Sequence, residues 1–195
     1  MNIRSQTEFV LASASPRRKE LLAQLNIPFE IVTSNVEETS VQAQSVEQYV
    51  KEVARLKTRD VAAKCGGKTV IGADTIVAFQ DRLLHKPKSR EEAIAHLQAL
   101  SNNAHRVLTA VVIIHSNGEE TVFVEETVVK FKQLSPKLIE AYVDSGDPFD
   151  KAGGYGIQTH GALFVERIEG DYNNVVGFPL ASLFEQLIHL RLLTI

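Results

Sequence analysis

The sequence predicts an α/β fold with a mixed, bent central sheet flanked by helices. Strand and helix patterns alternate through the first half of the chain, which favours parallel strands. A long hairpin pattern at residues 107–131 adds antiparallel pairing. The length of 195 residues, 44% of them hydrophobic, predicts a single domain over residues 1–195. Its hydrophobic core should be large enough to be stable without disulfides or structural metals. A long bent sheet can carry two lobes with a cleft between them, but the sequence does not place their boundary.

Local signals place the individual elements. Short β-rich apolar runs predict strands at residues 9–12, 29–32, 69–71, 75–79, 107–115, 121–131 and 162–168. Amphipathic periodicity and capping residues predict helices that begin at Ser15-Pro16, Val46, Ser89, Ser135-Pro136 and Pro179. The helix beginning at Val46 is predicted to end at about residue 64, before Gly66-Gly67. The last helix is predicted to run from about Pro179 to Leu193. Gly72-Ala73-Asp74 is expected to connect two of the short strands.

Composition excludes several classes of protein. A net charge of -3 argues against non-specific nucleic-acid binding, which needs a basic surface. The single cysteine, Cys65, rules out an intramolecular disulfide and is typical of a reducing compartment. Glu8 and Pro16 interrupt any apolar run that a signal peptide would need, and no stretch approaches the ~20 apolar residues of a spanning helix. We therefore expect a cytoplasmic globular protein without a membrane partner.

The segment Ser13-Ala14-Ser15-Pro16-Arg17-Arg18-Lys19 places two hydroxyls and three cations where a strand passes into a helix. A helix N-terminus favours anions because of its free N–H groups and positive dipole. Cations there oppose the dipole by ~0.3–1 kcal/mol each unless an anion lies between them. A polyphosphate would supply that anion, and arginine would donate paired hydrogen bonds to its oxygens. The segment predicts a phosphate site, against the alternative of a solvated basic turn.

Asp74 and Lys57 are the next candidates. Asp74 lies in an otherwise apolar region, where an ionised carboxylate is costly to bury unless it is paired or binds metal. Gly72, on the same strand face, is expected to leave room for a ligand. The alternative is an aspartate at an ordinary turn between strands. Lys57 falls within the apolar face of the helix over residues 46–64, so its ammonium either reaches solvent or points into a cleft.

Glu37 and Glu38 lie in the acidic loop before that helix. If one of them faces Asp74, two carboxylates would suit Mg²⁺ or Mn²⁺ bound jointly with phosphate oxygens. Otherwise they form an ordinary solvated charge pair. Lys86, within His85-Lys86-Pro87, offers another cation just before a helix, with the same ambiguity.

The segment Asp150-Lys151-Ala152-Gly153-Gly154-Tyr155-Gly156-Ile157-Gln158 is rich in glycine, which lets backbone pass close to a ligand. Its spacing matches neither the dinucleotide fingerprint nor the P-loop. Gln158 is a candidate reader of a base edge because its amide offers both a donor and an acceptor. The histidines show no zinc spacing, and no Gly-x-Ser-x-Gly elbow occurs. The residues therefore favour phosphate chemistry with a metal.

Taken together, these motifs resemble the Maf family of nucleotide pyrophosphatases. The matching segments run from about residue 8 to residue 190 in the family's order. They are Leu11–Leu22, Gly72–Thr75, Lys86-Pro87, Asp150–Gln158, Gly170-Asp171-Tyr172 and Val175–Pro179. The resemblance implies a fold similar to inosine triphosphate pyrophosphatases, with the active cleft between two lobes. It also implies cleavage between the α- and β-phosphates of a nucleoside triphosphate, supported by Mg²⁺, Mn²⁺ or a similar divalent ion.

The resemblance further implies roles for single residues. Asp74 aligns with the catalytic base. Residues that bind phosphate or metal or support catalysis are implied at Ser15, Arg18, Glu38, Lys57 and Lys86. Arg17, Thr75 and Gln158 align with positions that set base preference. Arg17 and Thr75 resemble the branch that acts on dTTP and UTP rather than the branch that prefers methylated GTP.

The expected mechanism combines these roles. A divalent ion held by Glu38, with Asp74 as a second ligand, bridges the triphosphate. Arg18, Lys57 and Lys86 neutralise the charge that builds on the leaving pyrophosphate. Asp74, directly or through metal-bound water, activates the nucleophile that attacks the α-phosphorus.

Two departures from the family fall in the base-reading loop. Gly154 stands where Ala is usual, and Thr159-His160 follows Gln158 where Gly is expected first, so base preference, including activity on modified pyrimidine nucleotides, is less determined than reaction type. The runner-up function is a nucleotide-sensing regulator of cell division that binds dTTP without releasing pyrophosphate. A nucleic-acid-binding module is disfavoured by the charge and the lack of aromatic stacking runs. The family also suggests a homodimer.

Overall fold

The computed structural model describes residues 2–37, 41 and 43–195. The strands are β1 (Arg4–Ser5), β2 (Phe9–Ala12), β3 (Phe29–Ile31), β4 (Thr69–Phe79), β5 (Arg82–Leu84), β6 (Ala104–Ile114), β7 (Glu120–Phe131), β8 (Val165–Glu169) and β9 (Leu193–Thr194). The helices are α1 (Pro16–Ala23), α2 (Val46–Ala62), α3 (Arg90–Leu100), α4 (Pro136–Asp144), α5 (Tyr172–Val176) and α6 (Leu180–His189). Short 3-10 turns occur at Asp147–Asp150, Ala152–Gly154 and His160–Phe164.

Four helices begin directly after a serine, as local sequence signals predict. The hydroxyls of Ser15, Ser45, Ser89 and Ser135 accept hydrogen bonds from backbone N–H groups in the first turns of α1, α2, α3 and α4, at 3.4, 3.1, 3.2 and 3.3 Å. Such a cap satisfies a donor that the helix itself cannot pair and contributes about 1 kcal/mol. The positions of these four serines therefore explain where the helices start.

The predicted mixed sheet is confirmed. In the described part of the chain, seven strands form one sheet in the order β3-β2-β4-β6-β7-β8, with β5 paired to β4. β2 runs parallel to both β3 and β4, whereas the pairs β4–β5 and β7–β8 are antiparallel. A separate antiparallel pair joins β1 to β9. Early alternation of strand and helix thus produces the parallel part.

Three sequence expectations need correction. The residues predicted as two strands with a connection are one uninterrupted strand, β4, because Gly72-Ala73-Asp74 stays extended and pairs with its neighbours. The strand expected from residue 162 begins at Val165, since residues 160–164 form a 3-10 turn. The last helix ends at His189 rather than Leu193, which lies in β9.

The chain divides into two compact units, each with its own core. The first unit comprises Met1–Asp74, Thr109–Glu125 and Gly177–Ile195, and the second comprises Thr75–Leu108 and Glu126–Val176. In the first, a buried cluster packs α2 against β2 and β4 and contains Val10, Ala12, Val61 and Val70. In the second, an aromatic cluster packs edge to face and contains His105, Phe131, Tyr142, Tyr155 and Phe164. The predicted cleft between two lobes stays a prediction.

Among the described residues, no helix combines the length and apolar character that crossing a bilayer requires.

Candidate active site

The guanidinium group of Arg18, in the first turn of α1, donates hydrogen bonds to other residues of the chain. Its Nε donates to the carbonyl of Gly177 at 2.9 Å, and one terminal nitrogen donates to the carbonyl of Ala73 at 2.7 Å and to Ser13 Oγ at 3.3 Å. These contacts use three of the five N–H donors of a guanidinium group. Arg18 therefore fastens the helix start to β4 at the residue that precedes Asp74.

Asp74 lies in the interior of β4 and is 8% exposed. Its Oδ1 accepts a hydrogen bond from Lys57 Nζ at 2.8 Å, so a lysine of α2 compensates the buried charge. Within the described residues, Oδ2 of Asp74 makes no hydrogen bond. The turn alternative is therefore wrong, and the Lys57 ammonium is directed at the carboxylate rather than only to solvent. This pair is the arrangement in which burial of a carboxylate becomes tolerable.

The space beside Gly72 is filled by the protein, contrary to the expectation that it accommodates a ligand. A Cβ at Gly72 would lie 2.1 Å from Thr58 Oγ1 and 3.0 Å from Thr58 Cβ. Thr58 is fully buried on α2, where its hydroxyl donates to the carbonyl of Ala54 at 2.7 Å. Gly72 therefore permits the close approach of α2 to β4 that brings Lys57 to Asp74.

The second unit brings the Lys86 segment next to the glycine-rich segment. The N–H of Gly153 donates to the carbonyl of His85 at 3.3 Å, and Pro87 lies 3.5 Å from where a Cβ on Gly154 would stand. Gly154 has a φ of 74°, which L side chains rarely adopt, so glycine suits this position better than alanine would. Two motifs far apart in sequence thus form one structural element.

Lys86 and Gln158 are both exposed in that element. In the part of the chain that the structure describes, neither side chain makes a hydrogen bond or ion pair. Their polar groups are therefore available to a ligand. His96, which packs nearby, has its pKa lowered by burial, with His85 adding to the effect and Glu92 opposing it.

The remaining predicted residues are placed as follows. Ser15 caps α1, Arg17 is half-buried in the same first turn, and Thr75 follows Asp74 on β4. Glu38 lies outside the described residues, and Glu37 is exposed. The structure thus brings Arg18, Lys57 and Asp74 together in the first unit and carries Thr75, Lys86 and Gln158 in the second. That all of them converge on one crevice stays a prediction.

The described residues would hold a divalent ion together with oxygens of a bound ligand. Among the described residues, no group of three histidine, cysteine, aspartate or glutamate side chains is arranged to hold a metal. Asp74 is nevertheless a hard oxygen donor, and magnesium is typically held by one or two carboxylates together with phosphate oxygens. The donor set therefore suits a phosphate-bound ion rather than a metal cage made by the protein.

Several supporting contacts have no signal in the sequence. Thr58 contacts the site through packing, which no residue pattern reveals. Gly177 lies in the matching segment Val175–Pro179, but the sequence does not indicate that its carbonyl accepts a hydrogen bond from Arg18. Tyr142, Asp147 and Thr159 form a hydrogen-bonded network below the loop that carries Gln158. The positions of Lys57 on α2 and Asp74 on β4 indicate the ion pair only when these two elements are known to be neighbours.

The mixed sheet, the buried ion pair and the cations at the start of α1 together define an α/β protein with a candidate site for a phosphorylated ligand. Residues 8–190 match the model of the Maf-like protein family, and the chain belongs to this family. It is 50% identical over 174 residues to a dTTP/UTP pyrophosphatase from Geobacillus sp. (strain WCH70), covering 89% of this chain and 93% of that one. It is 53% identical over 171 residues to a dTTP/UTP pyrophosphatase from Thermococcus onnurineus, covering 88% and 91% of the two chains.

The fold also resembles that of a solved structure of a HAM1 protein from Coxiella burnetii. The TM-score is 0.51 with 15% sequence identity, covering 94% of this chain and 100% of that chain. At this identity the likeness concerns the fold alone. It confirms the predicted fold class.

Proposed function

We propose that this chain hydrolyses nucleoside triphosphates, dTTP and UTP foremost, to the monophosphate and pyrophosphate. The observation that carries the proposal is the buried pair of Asp74 and Lys57, whose Oδ1 and Nζ lie 2.8 Å apart. A carboxylate and an ammonium held together can accept a proton and stabilise negative charge at one place. The two relatives named as dTTP/UTP pyrophosphatases, each about half identical over most of the chain, support the substrate class.

The proposed reaction follows from these groups. Oδ2 of Asp74 accepts a proton from a water molecule, whose oxygen forms a bond to the α-phosphorus. The bond from the α-phosphorus to the oxygen that bridges to the β-phosphate breaks, and pyrophosphate leaves with that electron pair. Lys57 and Lys86 offset the charge on the leaving group, while Arg18 holds the backbone before Asp74. The amide of Gln158 and the side chains of Arg17 and Thr75 contact the base.

A divalent ion, Mg²⁺ or Mn²⁺, completes the proposal. Asp74 is the ligand among the described residues, and Glu38 is the second ligand implied by the family resemblance. When bound, such an ion supplies positive charge that polarises phosphoryl oxygens. Chelation with EDTA should abolish turnover, and added Mg²⁺ or Mn²⁺ should restore it. Full activity in excess chelator would refute the metal requirement.

The test of the function is a panel of nucleoside triphosphates incubated with the protein and Mg²⁺ or Mn²⁺. We expect pyrophosphate from dTTP and UTP and no free orthophosphate. Release of orthophosphate would contradict cleavage at the α-phosphorus. Binding of dTTP without pyrophosphate release would instead favour a nucleotide-sensing regulator.

A single cysteine, Cys65, supports a reducing compartment such as the cytoplasm.

A further inference from the structure

The loop that carries Gln158 is hydrogen-bonded to a network of polar side chains in the second unit. Tyr142, on α4, donates its hydroxyl hydrogen to Asp147 Oδ2 at 2.5 Å. The same hydroxyl oxygen accepts a hydrogen bond from the N–H of Gly156 at 3.1 Å. Thr159 Oγ1 donates to Asp147 Oδ2 as well and lies 3.0 Å from the carbonyl of Gly156. The loop is therefore held on both sides of Gln158.

Lys151 adds a charged contact to this network. Its Nζ lies 3.0 Å from Asp147 Oδ1, 2.7 Å from the Asp147 carbonyl and 2.5 Å from Asp150 Oδ1. The Lys151 side chain is only 11% exposed. Burial raises the pKa of Asp147, but hydrogen bonds from Thr159, Tyr142 and Lys151 outweigh this effect and lower it overall. Asp147 is thus a charged centre to which three side chains are bound.

The position of Gln158 in the network is specific. Ile157 is buried and Thr159 is bonded to Asp147, whereas Gln158 between them is exposed. A long amide side chain on a mobile loop could meet a base edge in many positions, and ordering it on binding would cost affinity. When the loop is already ordered by hydrogen bonds, the entropy of ordering it is lost during folding and does not weaken binding. Among the described residues 156–159, Gln158 is the exposed side chain that the network does not bind.

We infer that Asp147 and Tyr142 are positioning residues for base discrimination, acting through the loop that carries Gln158. The inference rests on the proposed function, because it assigns Gln158 to the base of a nucleoside triphosphate. Neither residue contacts the substrate. Their role is to fix where the Gln158 backbone stands, so that its amide distinguishes thymine or uracil, with a ring N–H and a carbonyl, from cytosine, with a ring nitrogen acceptor and an amino group.

The test is Tyr142→Phe, which keeps the ring against Phe164 (4.8 Å between centroids) and removes only the hydroxyl. The readout is the ratio of kcat/KM for dTTP to that for dCTP, together with the ratio of their Kd values from equilibrium binding. We expect both ratios to fall by about tenfold, the scale of one lost hydrogen bond to a charged group, while kcat for dTTP changes less. Tyr155→Phe is the matched control, since that buried hydroxyl pairs with His105 and lies outside the network.

A double-mutant cycle with Gln158→Ala shows whether the effect passes through Gln158. If it does, Tyr142→Phe changes neither ratio further in the Gln158→Ala background. An unchanged ratio in Tyr142→Phe, an equal further fall in the double variant, or a wild-type protein that does not discriminate overturns the inference. Thr159→Val, at an exposed position, gives the same test should Tyr142→Phe not fold. If no pyrophosphate is released but the ratio of Kd values for dTTP and dCTP still falls in Tyr142→Phe, the proposed function is wrong and the inference is supported.

Discussion

The two units of the molecule treat their polar site residues in opposite ways. In the first unit, Lys57 is paired with Asp74, and Arg18 donates to the carbonyls of Ala73 and Gly177. In the second unit, Lys86 and Gln158 are exposed, while the backbone that carries Gln158 is fastened by the Asp147 network. Buried charges need partners inside the protein, whereas exposed groups do not. The first unit thus holds charges that are paired inside the protein, and the second presents exposed polar side chains, with Gln158 on a hydrogen-bonded backbone.

Loss of the carboxylate in the first unit should have the largest effect. In Asp74→Asn the base is gone but the shape is kept, so kcat should fall by ~10²–10⁴-fold, the usual contribution of a general base. Pyrophosphate release measures the rate, and circular dichroism checks the fold. Asp144→Asn is the control, since this exposed aspartate also pairs with a cation, Arg90, and should retain full activity. Near-normal turnover in Asp74→Asn would mean that another group is the base.

Arg18→Lys separates two roles for the arginine. A lysine keeps the charge but cannot reach the carbonyls of Ala73 and Gly177 together. If Arg18 mainly holds β4 beside Asp74, kcat should fall by ~10–100-fold, corresponding to one or two lost charge-assisted hydrogen bonds, with a smaller change in KM. Steady-state kinetics with dTTP measures both values. A rise in KM at constant kcat would instead indicate direct phosphate binding, and Arg90→Lys, at the exposed start of α3, should change neither.

Gly72→Ala should disturb the first unit through packing alone. Its new Cβ would meet Thr58 Oγ1 at 2.1 Å, and such overpacking typically costs about 1–3 kcal/mol in the free energy of unfolding. The displaced α2 should carry Lys57 away from Asp74, so turnover should fall too. Urea denaturation and the pyrophosphate assay measure the two effects. Adding Thr58→Ala should recover part of both, and failure of that rescue would exclude the Thr58 contact as the cause.

Sequence reasoning succeeded where a local signal decides the structure. Serine caps located α1, and alternation of elements predicted the mixed sheet, because both depend on neighbouring residues. It failed at Gly72, where the occupant of the space is Thr58, a residue of another element. For Asp74 the sequence leaves a compensated buried charge and an ordinary turn residue both open, and its partner Lys57 is identifiable only when α2 and β4 are known to lie side by side.

The same limit applies to the second unit. Gln158 could be proposed from its chemistry and its glycine-rich segment. Tyr142 and Asp147 could not, because their importance depends on the loop folding back over α4. Tyrosine in a helix and aspartate after it are typical of ordinary surface structure. Hydrogen bonds between a helix and the loops that follow it have no recognisable pattern in a single sequence.

Lys86→Ala should lower activity without lowering stability, in contrast to changes at Arg18, which is hydrogen-bonded within the protein. Lys86 is exposed and, within the described residues, unpaired, so its removal should change the free energy of unfolding by no more than ~0.5 kcal/mol. Turnover of dTTP should still fall by about tenfold, the scale of one charge-assisted contact made with substrate. Thermal melting and kinetics give the two values. A clear loss of stability would show that Lys86 supports the fold and would weaken the contrast between the units.

The smallest expected effect concerns the pH dependence of stability in the second unit. Because the pKa of Asp147 is lower in the folded protein than its ordinary value of 3.8, the ionised form stabilises the fold above that value. This contribution should decline as pH falls from about 3.8 through the folded pKa, since protonation removes the charge that binds Lys151 and Thr159. Urea denaturation of the wild type and of Asp147→Asn at several pH values measures it. The difference between the two proteins should stay constant near neutral pH and shrink only in acid. A difference that shrinks at neutral pH, or grows in acid, would mean that another group governs the network.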